Sequence, residues 1–225
     1  MNSDPSARIA DSWIVNAEAW TTAVREGRIA SRRAATDHAI VDAVLACAPQ
    51  RVLDVGCGEG WLCRALAEHA VETFGIDASP PLIEAARAIG GAGYAVCDYR
   101  QLIDSPSQFG RFNAVICNFA LLEECIDPLL IALRNTLEHR GALLIQTVHP
   151  RTACGDLAYV DGWRNETFAA FGDAFRAQMP WYFRTLESWC ETLSRCGYEI
   201  EILREPAHPE TGQALSLLLV ARPRG

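Results

Sequence analysis

The stretch Leu53-Asp-Val-Gly-Cys-Gly-Glu-Gly60 joins a short β-rich run to a helix-like segment that begins at Trp61. Glycines allow a sharp backbone turn and the close approach of a ligand. In open parallel sheets, ligands bind at such a turn after the first strand. The spacing departs from a dinucleotide fingerprint, because Trp61 occupies the position of its third glycine. The stretch therefore predicts either a ligand-binding turn of another kind or a purely structural turn.

Strand-like and helix-like segments alternate around this turn. The predicted strands cover residues 51–55, 73–77, 93–98, 112–118 and 141–147. Intervening helices of this length predict a parallel sheet covered on both faces. In the tail, we predict a helix capped by Thr185 and ended by Gly197, then two runs, 198–203 and 215–220, too close together for a crossover helix. The predicted fold is therefore α/β, a doubly wound, mostly parallel, seven-stranded Rossmann-like sheet with a C-terminal antiparallel hairpin.

Two segments lie outside this alternation. The N-terminal thirty-odd residues have helical apolar spacing at Trp13, Ala17, Trp20 and Val24, and Thr36 is the predicted N-cap of the next helix. Residues 148–184 are long for a loop and rich in aromatic side chains. We therefore predict an N-terminal helical lid over residues 1–35 and a main domain over 36–225, with a substrate-lid insertion at about 148–184.

Composition limits the classes of partner. The 225-residue chain has a formal net charge of −8 and no basic stripe, which argues against nucleic acid and anionic membranes. No apolar stretch is long enough to span a bilayer, and Met1–Ala10 lacks the apolar core of a secretory signal. The nine cysteines include no Cys-x-x-Cys pair, so we expect free thiols in a cytoplasmic protein without a metal. The oligomeric state is left open.

Polar residues end three of the predicted strands. Asp77 ends the second strand, where a carboxylate can accept both hydroxyls of a ribose. Asp98 ends the third, near the expected place of an adenine amino group, and Asn118 and Phe119 end the fourth, beside the glycine turn. Each residue alone is also explained as an ordinary strand-end cap. Together they line one rim of one sheet, which favours a shared ligand.

The segments Leu53–Gly60, Gly75-Ile-Asp77, Cys97-Asp-Tyr99 and Asn113–Leu122 resemble the successive cofactor motifs of class I S-adenosylmethionine-dependent methyltransferases. The resemblance implies S-adenosyl-L-methionine as cofactor, S-adenosyl-L-homocysteine as product and a small-molecule methyl acceptor. The cofactor-binding residues it implies are Asp54, Gly56, Cys57, Gly58, Asp77, Ala78, Asp98, Tyr99, Asn118 and Phe119. Tyr182–Trp189 is similar to small-molecule enzymes related to ubiquinone-pathway O-methyltransferases. Asn118–Glu124 lacks the histidine pair that many relatives carry, so a role built on those histidines does not transfer.

Methyl transfer from a sulfonium is an in-line displacement, so the main tasks of the protein are alignment and exclusion of water. A protonated nucleophile also needs a base. We predict His149, after strand five, and Tyr182 as catalytic residues, with Glu123 and Glu166 as further candidates. A solvated or backbone-capping role is the alternative for His149.

Aromatic residues of the insertion either roof a flat substrate or pack a lid helix onto the sheet. Trp181 and Arg184 are the predicted substrate-binding residues, Arg184 through a carboxylate or phosphate, although a surface salt bridge also explains it. Trp13 and Trp20 either pack in the core or cover the sulfonium. Either Arg32 or Arg33 is a candidate partner for the cofactor carboxylate.

Two other functions fit the same sequence. One is a protein that binds S-adenosylmethionine without catalysis, which the missing histidine pair keeps open. The other is a different Rossmann-type enzyme with an adenosyl or nicotinamide cofactor, and the glycine spacing argues against the nicotinamide version.

Overall fold

The strands of the computed structural model, which describes residues 4–224, form one large and one small sheet. They are β1 Arg51–Val55, β2 Glu72–Asp77, β3 Gly93–Val96, β4 Phe112–Asn118, β5 Leu137–Val148, β6 Gly162–Glu166, β7 Met179–Phe183, β8 Tyr198–Arg204 and β9 Ser216–Pro223. The large sheet has the order β3-β2-β1-β4-β5-β9-β8. Strands β1 to β5 run parallel, and β9 is antiparallel to β5 and β8. The predicted fold class is confirmed; residues 1–3 and 225, the ends of the predicted lid and main domain, lie outside the described residues.

Helices cover both faces of the large sheet. They are α1 Pro5–Val15, α2 Ala17–Arg25, α3 Asp37–Ala46, α4 Trp61–Ala67, α5 Pro80–Ile89, α6 Tyr99–Asp104, α7 Asp127–Thr136, α8 Pro150–Cys154 and α9 Leu186–Arg195. Because successive strand side chains point to opposite faces, Leu53 packs with α7 and α9, whereas Val52 packs with α3 and α4. Within residues 4–224, no helix has the length and apolar character needed to cross a membrane.

The N-terminal region differs from the prediction at two points. The helical stretch is broken at Asn16, between α1 and α2. Thr36 has helical backbone angles, φ −73° and ψ −31°, and makes no side-chain cap bond, so the predicted N-cap is wrong. It ends a π-helical stretch, Arg32–Thr36, that continues directly into α3. The predicted division between residues 35 and 36 therefore falls inside continuous helical structure.

The insertion at 148–184 contains a β-hairpin where a lid helix was one of the expectations. Strands β6 and β7 pair antiparallel, with Trp163 opposite Tyr182 and their rings 5.4 Å apart. Between them lies one 3₁₀ turn, Ala169–Phe171. Phe168 has φ +59° and Gly172 has φ +111°, which prevents a longer helix despite the helical spacing of the phenylalanines.

The C-terminal elements follow the prediction closely. The Thr185 side chain accepts a hydrogen bond from the Ser188 amide at 3.2 Å, so Thr185 is the N-cap of α9. Gly197, with φ +78°, ends the helix region before β8.

Candidate functional site

A cavity of about 580 Å³ lies at the carboxyl ends of β1, β2 and β4. All ten residues that the sequence predicted to bind the cofactor line it: Asp54, Gly56, Cys57, Gly58, Asp77, Ala78, Asp98, Tyr99, Asn118 and Phe119. Parallel strands bring their carboxyl ends to one edge, which explains why residues far apart in sequence converge there.

The glycine turn forms one wall of the cavity. Gly56 has φ +76° and Gly58 has φ +57°, a region that favours glycine. A Cβ on Gly56 would lie 2.5 Å from the Cβ of Ala120, so that position has no room for a side chain. A Cβ on Gly58 would instead lie 3.6 Å from Nε1 of Trp20, which places this α2 indole beside the turn. The turn, which joins β1 to α4, therefore presents backbone without a side chain at Gly56 and Gly58, and α2 lies next to it.

Asp54 is a buried carboxylic acid beneath the turn. Its side chain is almost fully buried, and burial raises its pKa to about 7 from an ordinary 3.8. Oδ2 accepts a hydrogen bond from the Cys63 thiol at 3.6 Å, whereas Oδ1 has no partner among the described residues. An acceptor buried without a donor is costly, so Oδ1 suits a ligand that brings a donor or a positive charge.

Asp77 connects the end of β2 to the turn. Its Oδ2 accepts from the Gly58 amide at 2.9 Å, and its Oδ1 accepts from the Ser79 amide at 2.8 Å. Burial raises its pKa, and these two hydrogen bonds oppose the increase. Each carboxylate oxygen has more than one lone pair, so both can still accept a ligand hydroxyl.

Asp98 and Tyr99 are committed to local structure as well as to the cavity. Asp98 is the N-cap of α6, where its Oδ1 accepts from the Gln101 amide at 2.7 Å in a capping box. The Tyr99 hydroxyl donates to the Ala120 carbonyl at 2.6 Å. The Tyr99 ring therefore lines the cavity while its hydroxyl fixes the loop after β4.

A buried polar network supports the end of β4. Nε2 of Gln146 donates to Oδ1 of Asn118 at 2.9 Å and to the Thr36 carbonyl at 3.0 Å. The Phe119 amide donates to the Gln146 carbonyl at 2.7 Å, and Phe119 adopts φ +54°. This network joins the helical stretch before α3 to the cavity floor, and it orients Asn118 and Phe119.

Arg32 lines the same region from the π-helical stretch. Its Nε bonds Oδ1 of Asp37 at 2.8 Å, and its guanidinium carbon lies 4.2 Å from the centroid of the Trp61 ring. Both arginine candidates belong to this π-helical stretch, a feature frequent at functional sites, but Arg32 lines the cavity and Arg33 does not.

The other half of the cavity is aromatic. Trp13 packs against Trp20 and Phe168, with centroid distances of 5.1 and 5.9 Å. The apolar lining of this half also includes Phe171, Met179, Trp181, Phe183 and Trp189. Trp181 therefore lies where the sequence predicted it, while Trp13 and Trp20 both pack together and line the cavity.

Two chain segments form most of this aromatic wall, residues 4–25 and 162–183, called here the roof, and Trp189 of α9 completes the wall. Asn16 joins them: its Nδ2 donates to the Ala177 carbonyl at 2.7 Å, and its Oδ1 accepts from the amides of Arg176 and Ala177 at 2.8 and 3.2 Å. Asn16 is buried, so these bonds are shielded from water. The role of Asn16 was not predicted from the sequence, where its one signal is a polar residue that interrupts helical apolar spacing.

His149 does not belong to the cavity, which corrects the prediction that it is catalytic. Its ring is buried, and Nε2 lies 2.8 Å from Oε1 of Glu205, on the loop after β8. The cavity lining contains its neighbours Thr147 and Val148 but not His149. The contact with Glu205 holds the His149 ring outside the cavity lining.

Tyr182 lines the cavity but is poorly suited to act as a base. Burial raises the pKa of its hydroxyl, and the Glu124 carboxylate raises it further. The Tyr182 amide donates to the Leu122 carbonyl at 2.8 Å, which joins β7 to the loop after β4. The hydroxyl therefore stays protonated at neutral pH, and the structure favours a positioning role.

Arg184 is buried beside the cavity, so the alternative of a surface salt bridge is wrong. Its Nη2 donates to the carbonyls of Glu123 and Glu124, and its guanidinium carbon lies 4.9 Å from the Tyr182 ring centroid and 5.2 Å from that of Trp189. Burial lowers its pKa. Nη1 has no hydrogen-bond partner within residues 4–224. Arg184 therefore fixes the loop after β4, and its predicted role in substrate binding stays a prediction.

Comparison with known proteins gives the family. A model of the methyltransferase domain matches residues 29–202, most of the chain. A ubiquinone biosynthesis O-methyltransferase of Xanthomonas oryzae is 37% identical over 125 residues, covering 53% of this chain and 52% of the relative. A putative S-adenosylmethionine-dependent methyltransferase from Listeria monocytogenes has a TM-score of 0.62 at 22% identity, covering 78% of this chain and 92% of that one. The DhpI–SAH complex has a TM-score of 0.65 at 15% identity, covering 97% and 98%.

The fold and site define a class I methyltransferase, and the chain belongs to the methyltransferase domain family. The chain spans about half the length of the curated O-methyltransferases it matches. The solved structures, at these identities, support the fold alone.

Proposed function

We propose that this protein is an S-adenosyl-L-methionine-dependent methyltransferase, of class EC 2.1.1.-, acting on a small molecule. The observation that carries the proposal is the convergence of the ten predicted cofactor residues on one cavity. The unpartnered Oδ1 of buried Asp54 fits the cofactor, because its methionine ammonium supplies the missing donor and charge. The bare backbone at Gly56 and Gly58 fits a ligand that lies directly against the turn.

The residues divide the binding task. The Asp77 carboxylate accepts the ribose hydroxyls, and Asp98 and the Tyr99 ring hold the adenine. Asn118 and Phe119 lie by the sulfonium, and the free guanidinium nitrogens of Arg32 hold the methionine carboxylate. S-adenosyl-L-methionine supplies a methyl group on positively charged sulfur, and an approaching nucleophile displaces it in line.

The roof, residues 4–25 and 162–183, encloses the acceptor. It corresponds to the N-terminal lid and part of the insertion at 148–184, with residues 36–225 as the methyltransferase domain. Its aromatic side chains, Trp181 and Phe183 among them, exclude water and hold the acceptor. Alignment of two reactants removes about 7–11 kcal/mol of barrier in favourable cases. The O-methyltransferase relatives favour an oxygen acceptor. We propose a cytoplasmic enzyme that does not act on nucleic acid.

Calorimetry tests the cofactor assignment. We expect S-adenosyl-L-methionine and S-adenosyl-L-homocysteine to bind, and NAD not to bind. Asp77→Asn should weaken cofactor binding about ten- to hundredfold, because hydrogen bonds to a charged group are lost. The control is Asp104→Asn, which removes the same charge from an exposed residue of α6 outside the cavity lining. Binding of NAD in preference to S-adenosyl-L-methionine, or equal effects of both variants, would refute the assignment.

Turnover tests the reaction itself. The protein is incubated with methyl-labelled S-adenosyl-L-methionine and a metabolite extract, and labelled products are separated. Formation of a labelled small molecule together with S-adenosyl-L-homocysteine supports an enzyme. Tight cofactor binding with no labelled product in any extract would support a protein that binds the cofactor without catalysis.

A further inference from the structure

Glu123 lies in the loop between β4 and α7 and lines the cavity. It follows Phe119 by four residues, so the loop that carries it begins at the strand end that borders the expected sulfonium. The side chain is half-buried, and no arginine, lysine or histidine within residues 4–224 forms an ion pair with it. An ion pair within residues 4–224 therefore does not account for the carboxylate at this position.

The surroundings of Glu123 favour a proton acceptor. Loss of water raises its pKa above the ordinary 4.5; a hydrogen bond from Ser6 opposes the increase, and the carboxylates of Asp4 and Asp98 add to it. The Tyr99 hydroxyl also faces this region and is itself held protonated by burial. A carboxylate with a raised pKa is a stronger base, because its pKa lies closer to that of the group from which it takes the proton.

The backbone at Glu123 is held in place. Nη2 of Arg184 donates to the carbonyls of Glu123 and Glu124, and the Tyr182 amide donates to the Leu122 carbonyl. One residue of β7 and one directly after this strand therefore fix the loop that carries Glu123. A base works only when its oxygen stays within hydrogen-bond reach of the reacting proton, so this fixation has a direct catalytic use.

The other candidate bases are engaged elsewhere. His149 is bonded to Glu205 away from the cavity, and the Tyr182 hydroxyl stays protonated. Oε1 of Glu166 accepts from the Phe168 amide at 2.6 Å, which fixes the turn after β6. Glu123 lines the cavity, and the hydrogen bond from Ser6 is the one side-chain bond described for it within residues 4–224.

We propose that Glu123 is the general base for methylation of a neutral aromatic hydroxyl; this inference rests on the proposed function. As the acceptor oxygen forms its bond to the methyl carbon, the carbon–sulfur bond breaks and its electron pair goes to sulfur. The acceptor O–H bond breaks, and its proton goes to the Glu123 carboxylate. The products are the methyl ether, S-adenosyl-L-homocysteine and protonated Glu123, which then loses its proton to water.

Two phenolic probes test the role of the base. Catechol keeps its proton at neutral pH, whereas 4-nitrocatechol is largely ionised there because the nitro group withdraws electrons. Glu123→Gln should lower turnover of catechol about 10²–10⁴-fold and that of 4-nitrocatechol only about threefold, because an ionised acceptor needs no base. The matched control is Glu124→Gln, a neighbouring exposed carboxylate bonded to the indole of Trp163.

The pH profile gives an independent readout. The ionised form of Glu123 is the active form, so catechol turnover is lost as pH falls through its raised pKa, above 4.5. This limb should be absent from the Glu123→Gln profile and present for Glu124→Gln. An equal loss for both probes would indicate a structural role and overturn the proposal.

Cofactor calorimetry on the same samples separates this inference from the proposed function. If S-adenosyl-L-methionine does not bind the unchanged protein, the proposed function itself fails. If the cofactor binds but the unchanged protein methylates neither phenol, or methylates only an amine probe such as benzylamine, the hydroxyl assignment is overturned while the methyltransferase assignment stands.

Discussion

The buried carboxyl of Asp54 predicts that the cofactor-free protein loses stability as pH rises. Its pKa is about 7 in the folded protein against an ordinary 3.8, a difference of about three units. One unit corresponds to about 1.36 kcal/mol, so ionisation of Asp54 lowers the free energy of unfolding by about 4 kcal/mol in all. The folded state binds the proton of Asp54 more tightly than the unfolded state does. The contribution of Asp54 to the free energy of unfolding is therefore complete below about pH 4 and is lost as pH rises to about 7.

Replacement by asparagine isolates this effect from other titrating groups. Asp54→Asn has no charge to bury, so its stability relative to the unchanged protein should increase with pH. Between pH 5.5 and 8.5 the difference should grow by about 2 kcal/mol, the share of the 4 kcal/mol that falls in this window. Urea unfolding at several pH values, without cofactor, measures it.

A control with the opposite sign is available in Asp127. The hydrogen bond from Arg195 lowers the pKa of Asp127, so its contribution is lost only as pH falls into the acid range. The stability difference between Asp127→Asn and the unchanged protein should therefore be flat from pH 5.5 to 8.5. A flat difference for Asp54→Asn over the same range would refute the assignment of a raised pKa to this carboxyl.

Three further substitutions test the architecture. Asn16→Ala should lower the free energy of unfolding by about 2–4 kcal/mol, because buried peptide groups lose their partner. The exposed Asn165→Ala should change this free energy little. Equal urea midpoints for the two variants would contradict the role of Asn16 in joining the two segments of the roof. Gly56→Ala should cost about 2–5 kcal/mol in thermal unfolding and abolish cofactor binding by calorimetry, whereas Gly212→Ala, with open space around it, should cost about 1–2 kcal/mol. His149→Asn should leave methyl transfer within about twofold, and a hundredfold loss with an intact fold would restore its catalytic assignment.

The side of the cavity that the glycine turn forms follows from local patterns. The turn at Gly56 and Gly58 and the strand-end residues Asp77 and Asn118 occupy predictable places, because period-two strands and parallel topology bring their ends together. Their place on one rim of the sheet could therefore be predicted without knowledge of contacts between distant residues. The expected convergence of all ten residues on one cavity is therefore what the structure shows.

Other features depend on contacts between residues far apart in the chain, which sequence spacing does not encode. The direction of the His149 ring is set by Glu205, 56 residues further along the chain, and the role of Asn16 is set by a peptide about 160 residues away. Thr36 has N-cap chemistry, yet tertiary bonding extends the helix through it. The spacing of Phe168 and Phe171 is helical, but the positive φ of Phe168 gives a single 3₁₀ turn.

The hydrogen bonds between Asn16 and Ala177 have a consequence for synthesis on the ribosome. The two residues are 161 positions apart, so α1 emerges well before the peptide that holds it has been translated. At roughly 5–20 residues per second, that interval lasts on the order of ten to thirty seconds. During this interval Trp13 lacks its later contact with Phe168, so its ring stays exposed to solvent. The roof is thus completed only after strands β1 to β6 have been translated.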